Sequence, residues 1–257
     1  MGKVLKRAIV TPDKHFPLHS QPAINCVIQT IEIVKPDIYV DLGDTGEWGN
    51  FSHWKWKRKK RPPLEVIIPT LDQDVNDVNE GMDQIDEALD KAGCETKHFI
   101  EGNHELWLDQ FVEEHPYLPQ YKPQNCLKLK ERGYKYHPCG KFLKIGKLNF
   151  YHGHLYGGQY HTANHLRKLG ANVMYGDWHD IQQMSATHID GQKSAWSIGC
   201  LKDMSDASNE WLGGREHNWC HGFAIVDFFE KGYFSVHLMQ IINGVTSLYG
   251  EKIDGNV

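Results

Sequence analysis

Five short apolar runs in this chain end in the same kind of polar group, and that recurrence constrains the fold more than any other feature. "TPDKH" supplies Asp13 and His15, "LGDTGE" Asp44, "EGNHE" Asn103 and His104, "YHGH" His152, and "YGDWHD" Asp177 and His179. Each fragment alone has an ordinary reading: Gly-Asn and Gly-Asp form turns, and a following Glu suits the first turn of a helix. Repeated at the ends of five strand-like runs, the pattern exceeds turn chemistry. Loops at the carboxyl ends of strands in α/β proteins collect ligands and catalytic groups. Carboxylates and imidazoles converging at one edge of a sheet would repel or stay unsatisfied without a counter-charge, which divalent metal ions supply. The amide oxygen of Asn103 suits such a site.

The elements between these loops read as an α/β chain. A strand over 8–10 is followed by a helix that Ser20 can cap, with Pro22 in its first turn and Ile24, Val27, Ile28 and Ile31 on one face. A second strand over 38–42 completes a βαβ unit with parallel strands. Val75, Val78, Met82, Ile85 and Leu89 predict a helix stopped by Gly93. A third strand occupies 98–100, "KIGKLNFYHGH" is a fourth ending in His152, and "GANVMYGDWHD" contains a fifth ending near Asp177 and His179. The tail from 221 alternates strand-like runs with Gly turns, as an antiparallel set does. The stretch 116–138, rich in Pro, Tyr and Lys, gives no firm assignment. At 257 residues one domain, 1–257, is expected.

Lys and Arg number 28 against 33 Asp and Glu, a net charge of -5 that argues against a surface coated for nucleic-acid binding. One local exception is "HWKWKRKKR", where Lys55, Lys57 and Arg58 interleave with Trp54 and Trp56. It can pair phosphates with charge and bases with stacking, or it is a solvated loop. Six scattered cysteines without a CxxC read as reduced thiols in the cytoplasm, and neither a secretory signal nor a membrane span is expected. Sixteen histidines, several within 152–179, point to metal.

Together, the ordered motifs resemble the calcineurin-like metallophosphoesterase superfamily, over 13–179. "NWCHGFAIVDF" and "VMYGDWHDIQ" resemble phage-encoded members, for which the location would be the host cytoplasm. The resemblance implies a β-sandwich of mixed sheets flanked by helices and two divalent ions, Mn foremost, with Mg, Fe, Zn or Ni as alternatives. It implies that Asp13, His15 and His179 hold one ion, Asn103 and His152 the other, and that Asp44 bridges them. His104 would lie beside the substrate phosphate, as proton donor to the leaving oxygen or stabiliser of its charge, with Gly102 allowing a sharp turn. The activity implied is hydrolysis of a phosphoester by metal-activated hydroxide, the substrate being a phosphodiester of a nucleotide or nucleic acid. A phosphomonoesterase of the protein-phosphatase kind and a non-catalytic metal-binding or interaction protein are the alternatives. The oligomeric state is left open.

The chain also departs from the pattern. Asp177 stands where the superfamily has a metal-binding histidine, so the second site either takes a harder carboxylate ligand suited to Mn or Mg or is weakened. Glu47, three residues after Asp44, leaves a supporting acidic role open. His154 is a spare candidate ligand, and Tyr156, Tyr160, His161 and Trp178 either shape a pocket or pack.

Overall fold

The computed structural model describes residues 3–57 and 59–257. In chain order the strands are β1 (Lys6–Thr11), β2 (Ile38–Asp41), β3 (Thr96–Ile100), β4 (Tyr134–His137), β5 (Leu143–Ile145), β6 (Leu148–Phe150), β7 (Val173–Tyr175), β8 (Ile181–His188), β9 (Gly191–Ile198), β10 (His221–Phe228), β11 (Phe234–Ile241), β12 (Val245–Leu248) and β13 (Glu251–Asp254). The helices are α1 (Gln21–Val34), α2 (His53–Trp56), α3 (Leu64–Ala92), α4 (Asn103–Glu114), α5 (Pro123–Cys126) and α6 (His161–Leu169).

One sheet runs β11-β10-β1-β2-β3-β4, with β1 to β4 mutually parallel and β10 and β11 antiparallel at one side. The other runs β5-β6-β7-β9-β8 and mixes both senses. Alternation along the strands explains why two sheets and outer helices are needed. Ala8, Val10, Val40 and Ile100 face one way and meet Phe150, Met174 and Ile198 in a core between the sheets. Ile9, Tyr39 and Phe99 face the other way, under Ile24, Val27 and Ile31 of α1 and Val78, Met82 and Ile85 of α3. On the far side of the second sheet, Tyr151, Val173 and Tyr175 pack under Leu166 of α6. The result is the mixed-sheet sandwich flanked by helices that the motifs imply.

Ser20 caps α1 through the Ala23 N–H, and β1-α1-β2 is the expected parallel unit. Elsewhere the structure differs from the sequence reading. The helix stopped by Gly93 starts at Leu64, because Ile67 and Leu71 continue the apolar stripe and Pro69 removes only a single N–H donor. The run expected as the fourth strand is a hairpin, β5 then β6, turned where Gly146 takes φ +57°. Within 116–138 lie α5 and β4, an edge strand whose buried Tyr134 joins the core. All six cysteines are free, and no helix among the described residues is long and apolar enough to cross a membrane.

Phe150 is fully buried between the sheets. Phe150→Ala should cost about 3–5 kcal/mol of unfolding free energy, read from the urea midpoint at unchanged slope.

Candidate metal centre

The five motif loops meet, but not at one sheet edge as expected. β1, β2 and β3 of the first sheet deliver Asp13, His15, Asp44, Asn103 and His104, while β6 and β7 of the second deliver His152, Asp177 and His179. The cluster therefore lies where the ends of two sheets adjoin. Asp13, His15, Asp44, Asp177 and His179 all take positive φ, between 34° and 65°. Left-handed backbone at non-glycine residues costs of order 1–3 kcal/mol each and persists only where the surroundings fix it.

Those surroundings are visible. The buried Glu105 carboxylate, at the start of α4, accepts the N–H groups of Asp44 (2.9 Å), Thr45 (2.9 Å), Gly46 (3.0 Å) and Gly102 (3.1 Å), and the Trp48 indole N–H (3.2 Å). It ties the loop after β2 to the loop after β3. The Asp41 carboxylate accepts from Lys14 Nζ (2.7 Å), the Gly43 N–H (3.0 Å) and the Thr45 hydroxyl (2.9 Å), which joins the first two loops. The Asp13 carboxylate accepts the Asp177 N–H at 2.9 and 3.0 Å and so links the two sheets.

Two half-sites result, sharing Asp44. In the first, Asp13, His15 and His179 present atoms within 4.8 Å of one another, with the Nε2 atoms of the two imidazoles 3.1 Å apart. In the second, His152 Nε2 faces Asn103 Oδ1 at 2.8 Å, Asp177 Oδ1 at 3.3 Å and Asp44 Oδ1 at 3.4 Å. Asp44 Oδ2 points toward His15 Nε2 (3.9 Å) and His104 Nε2 (3.8 Å). All seven candidate ligands thus come together, with His104 beside them.

The electrostatics of this group call for a cation. The His152 Nδ1–H donates to the Leu42 carbonyl (2.8 Å), so Nε2 is the atom that faces the three oxygens, where either a proton or a metal ion would offset their charge. Burial would push His152 down, but Asp44 and Asp177 hold it well above the usual imidazole range. Burial pushes Asp44 up and is outweighed by His152, His104 and His15, which hold it well below the usual carboxylate range. Burial, Lys202 and the neighbouring imidazoles keep His15 well below its ordinary value, and burial raises Asp13. A buried set of imidazole, carboxylate and amide oxygen suits borderline-to-hard divalent ions. Asp177 sits where it would serve the second half-site.

The sequence reading left a supporting role for Glu47 open and missed Lys202 behind it. Glu47 accepts from His15 Nδ1 (2.8 Å) and from the buried Lys202 Nζ (2.6 Å), and its backbone carbonyl accepts from His104 Nδ1. It orients two imidazoles at once, which a carboxylate partner does for metal-binding histidines in general. Lys202 lies 155 residues from Glu47, and nothing local marks it. Gly102 is also glycine for a different reason than expected. Its backbone is extended (φ −85°), but a Cβ there would meet Asp44 Oδ1 at 2.2 Å.

Other singled-out residues lie apart. Lys55 and Lys57 are exposed; Lys55 sits on α2 with its ammonium on Asn50 Oδ1 (2.8 Å). Arg58 lies outside the described residues. His154 packs near the Cys139 sulfur, with its ring 6.0 Å from that of His152. His161 stacks on Trp178 and bonds Asp180 and Tyr175, so these side chains pack α6 against the second sheet, and Tyr160 is exposed.

No family model matches the chain. It is similar to the Gene 54 protein of Mycobacterium phage L5, 28% identical over 262 residues that cover 95% of this chain and 97% of the relative. Among solved structures it resembles a single mutant of Vps29 from Entamoeba histolytica (TM-score 0.48, 12% identity, 96% of this chain and 98% of that one). It also resembles YfcE, a phosphoesterase from E. coli (TM-score 0.39, 15% identity, 86% and 88%).

Replacing Glu105 with Gln turns an NH2 group toward two or three of these five N–H donors, according to which oxygen it replaces. Glu105→Gln should lose at least about 2 kcal/mol in urea unfolding of the metal-free protein. Gly102→Ala should weaken Mn binding in calorimetry by displacing Asp44.

Proposed function

We propose that this chain, as one domain, is a calcineurin-like binuclear metallophosphoesterase that hydrolyses a phosphodiester of a nucleotide or nucleic acid. The observation that carries the reading is His152 Nε2, its other ring nitrogen already committed, facing the oxygens of Asn103, Asp177 and Asp44 within 3.4 Å. Asp13, His15 and His179 would hold one ion, Asn103, His152 and Asp177 the second, and Asp44 both. Carboxylate ligands on both sides favour Mn. Two divalent ions bound there supply Lewis acidity toward the phosphoryl oxygens and an activated water.

The chain's own groups do the rest. His104 is 14% exposed at its side chain, whereas His152 is fully buried, so His104 is the imidazole that can reach a substrate. Its Nδ1 is fixed on the Glu47 carbonyl and its N–H on Asp44 Oδ1 (2.9 Å), which leaves Nε2 to serve the leaving oxygen. Lys202, through Glu47, holds His15 and His104 in register. The basic stretch at Lys55, Lys57 and Arg58 follows this loop by a few residues and offers charge to substrate phosphates outside the reacting one. The mycobacteriophage relative supports action in a host cytoplasm.

Protein incubated with excess Mn and freed of unbound ion should retain close to two ions per chain. It should hydrolyse bis(p-nitrophenyl) phosphate until a chelator is added. Retention of two ions with no turnover on any phosphoester would mark a non-catalytic binding protein instead. His104→Ala should lower kcat by about 10²- to 10⁴-fold while retaining both ions. Full turnover in that variant would remove His104 from the reaction. Oligonucleotide cleavage should weaken steeply with salt.

A further inference from the structure

We infer that the segment 203–220 is a shelf for the nucleobase flanking the phosphoryl group, built onto the metal centre. The inference rests on the phosphoesterase reading above and specifies its substrate. Both ends of the segment are rooted on the centre itself. On entry, the Leu201 N–H donates to the Asp13 carbonyl (3.0 Å) and Lys202 Nζ to Glu47 (2.6 Å). On return, the Cys220 N–H donates to the His179 carbonyl (2.8 Å). The first turn is braced internally: the Asp203 carboxylate accepts from the Ser208 hydroxyl (2.6 Å), and the Asn209 amide donates to the Asp203 carbonyl (2.8 Å).

From those roots a line of rings leads outward. Trp219 lies edge-to-face on His179 with centroids 4.6 Å apart. Behind Trp219 come His217 at 4.4 Å and Trp211 at 6.1 Å. Trp211 is 64% exposed, a large apolar surface left open to solvent beside a polar centre. Flat rings in series outward from a candidate metal ligand suit a base attached to a phosphate held at that metal, since every base offers a face for stacking.

The polar groups that share a cavity with His217 argue for a base rather than for more phosphates. A cavity of about 710 Å³ is lined by Asp206, Glu210 and Glu216 as well as Arg215, His217 and Asn218. The acidic groups would repel further phosphate charge, whereas carboxylates accept from the exocyclic amino groups of bases and Arg and Asn reach ring acceptors.

Two esters separate the shelf from the chemistry. The p-nitrophenyl ester of a nucleoside 5′-monophosphate and methyl p-nitrophenyl phosphate share a leaving group and differ in whether a base is present. The Mn-loaded full-length protein should favour the nucleoside ester in kcat/KM by about tenfold or more. Trp211→Ala and Trp219→Leu should each reduce that ratio several-fold. Calorimetry gives a second readout: a nucleoside monophosphate should bind more tightly than inorganic phosphate, and Trp211→Ala should erase the difference. Ratios and affinities that are the same in wild type and both variants overturn the shelf. If neither ester is hydrolysed, the phosphoesterase reading fails, and the calorimetric comparison alone decides whether a base is bound.

Discussion

The buried carboxylate of Glu105 is the interaction on which the centre depends. Its two oxygens collect five N–H groups from two different loops, so the loop bearing Asp44 and the loop bearing Asn103 and His104 become one rigid body. That bond supports the left-handed conformation of Asp44, which costs energy in any residue with a Cβ even though aspartate tolerates it better than most. Asp41, held by Lys14 and Thr45, extends the same body to the loop with Asp13 and His15. Acids that do not reach the cluster's interior thereby set the positions of those that do.

The charges at the centre are arranged in opposition. Asp44 lies among three imidazoles that hold it well below the usual carboxylate range despite its burial, while His152 is drawn up by the carboxylates around it. Such an arrangement is costly unless positive charge resides within it, as protons or as metal ions. Glu47 and Lys202 form a second layer that fixes ring orientation from behind. Asp177 lies beside His152 with a carboxylate oxygen at 3.3 Å.

Much of this was legible in the sequence because the motifs are local. A ligand three residues from a strand end is written in a short word such as "GDTGE" or "EGNHE", and the apolar runs preceding these words are β1, β2, β3, β6 and β7. What was illegible depends on distance. The Glu47–Lys202 contact spans 155 residues, and the Glu105 hub looks in sequence like an ordinary first-turn acid. Gly146 turned an apparent single strand into a hairpin, since one glycine inside an apolar run does not say whether the chain continues or reverses. The histidines of 152–179 serve different uses: His152 and His179 lie at the centre, His161 and His165 are on the buried face of α6, and His154 packs near Cys139. Composition cannot separate these uses, because the first two both need a buried imidazole with a partner.

Three strands of one sheet and two of the other contribute to the cluster, and side-chain packing, the Asp13–Asp177 link and the His152–Leu42 bond hold the sheets in register there. Each half-site takes groups from both sheets, so the distance across it depends on how closely two hydrophobic faces seat against each other. In mechanical terms the core acts as the spacer of a caliper whose jaws are the motif loops. Volume added to or removed from its middle, well away from any charged group, would alter the jaw gap, so the preferred ionic radius can drift through apolar substitutions that leave every ligand in place.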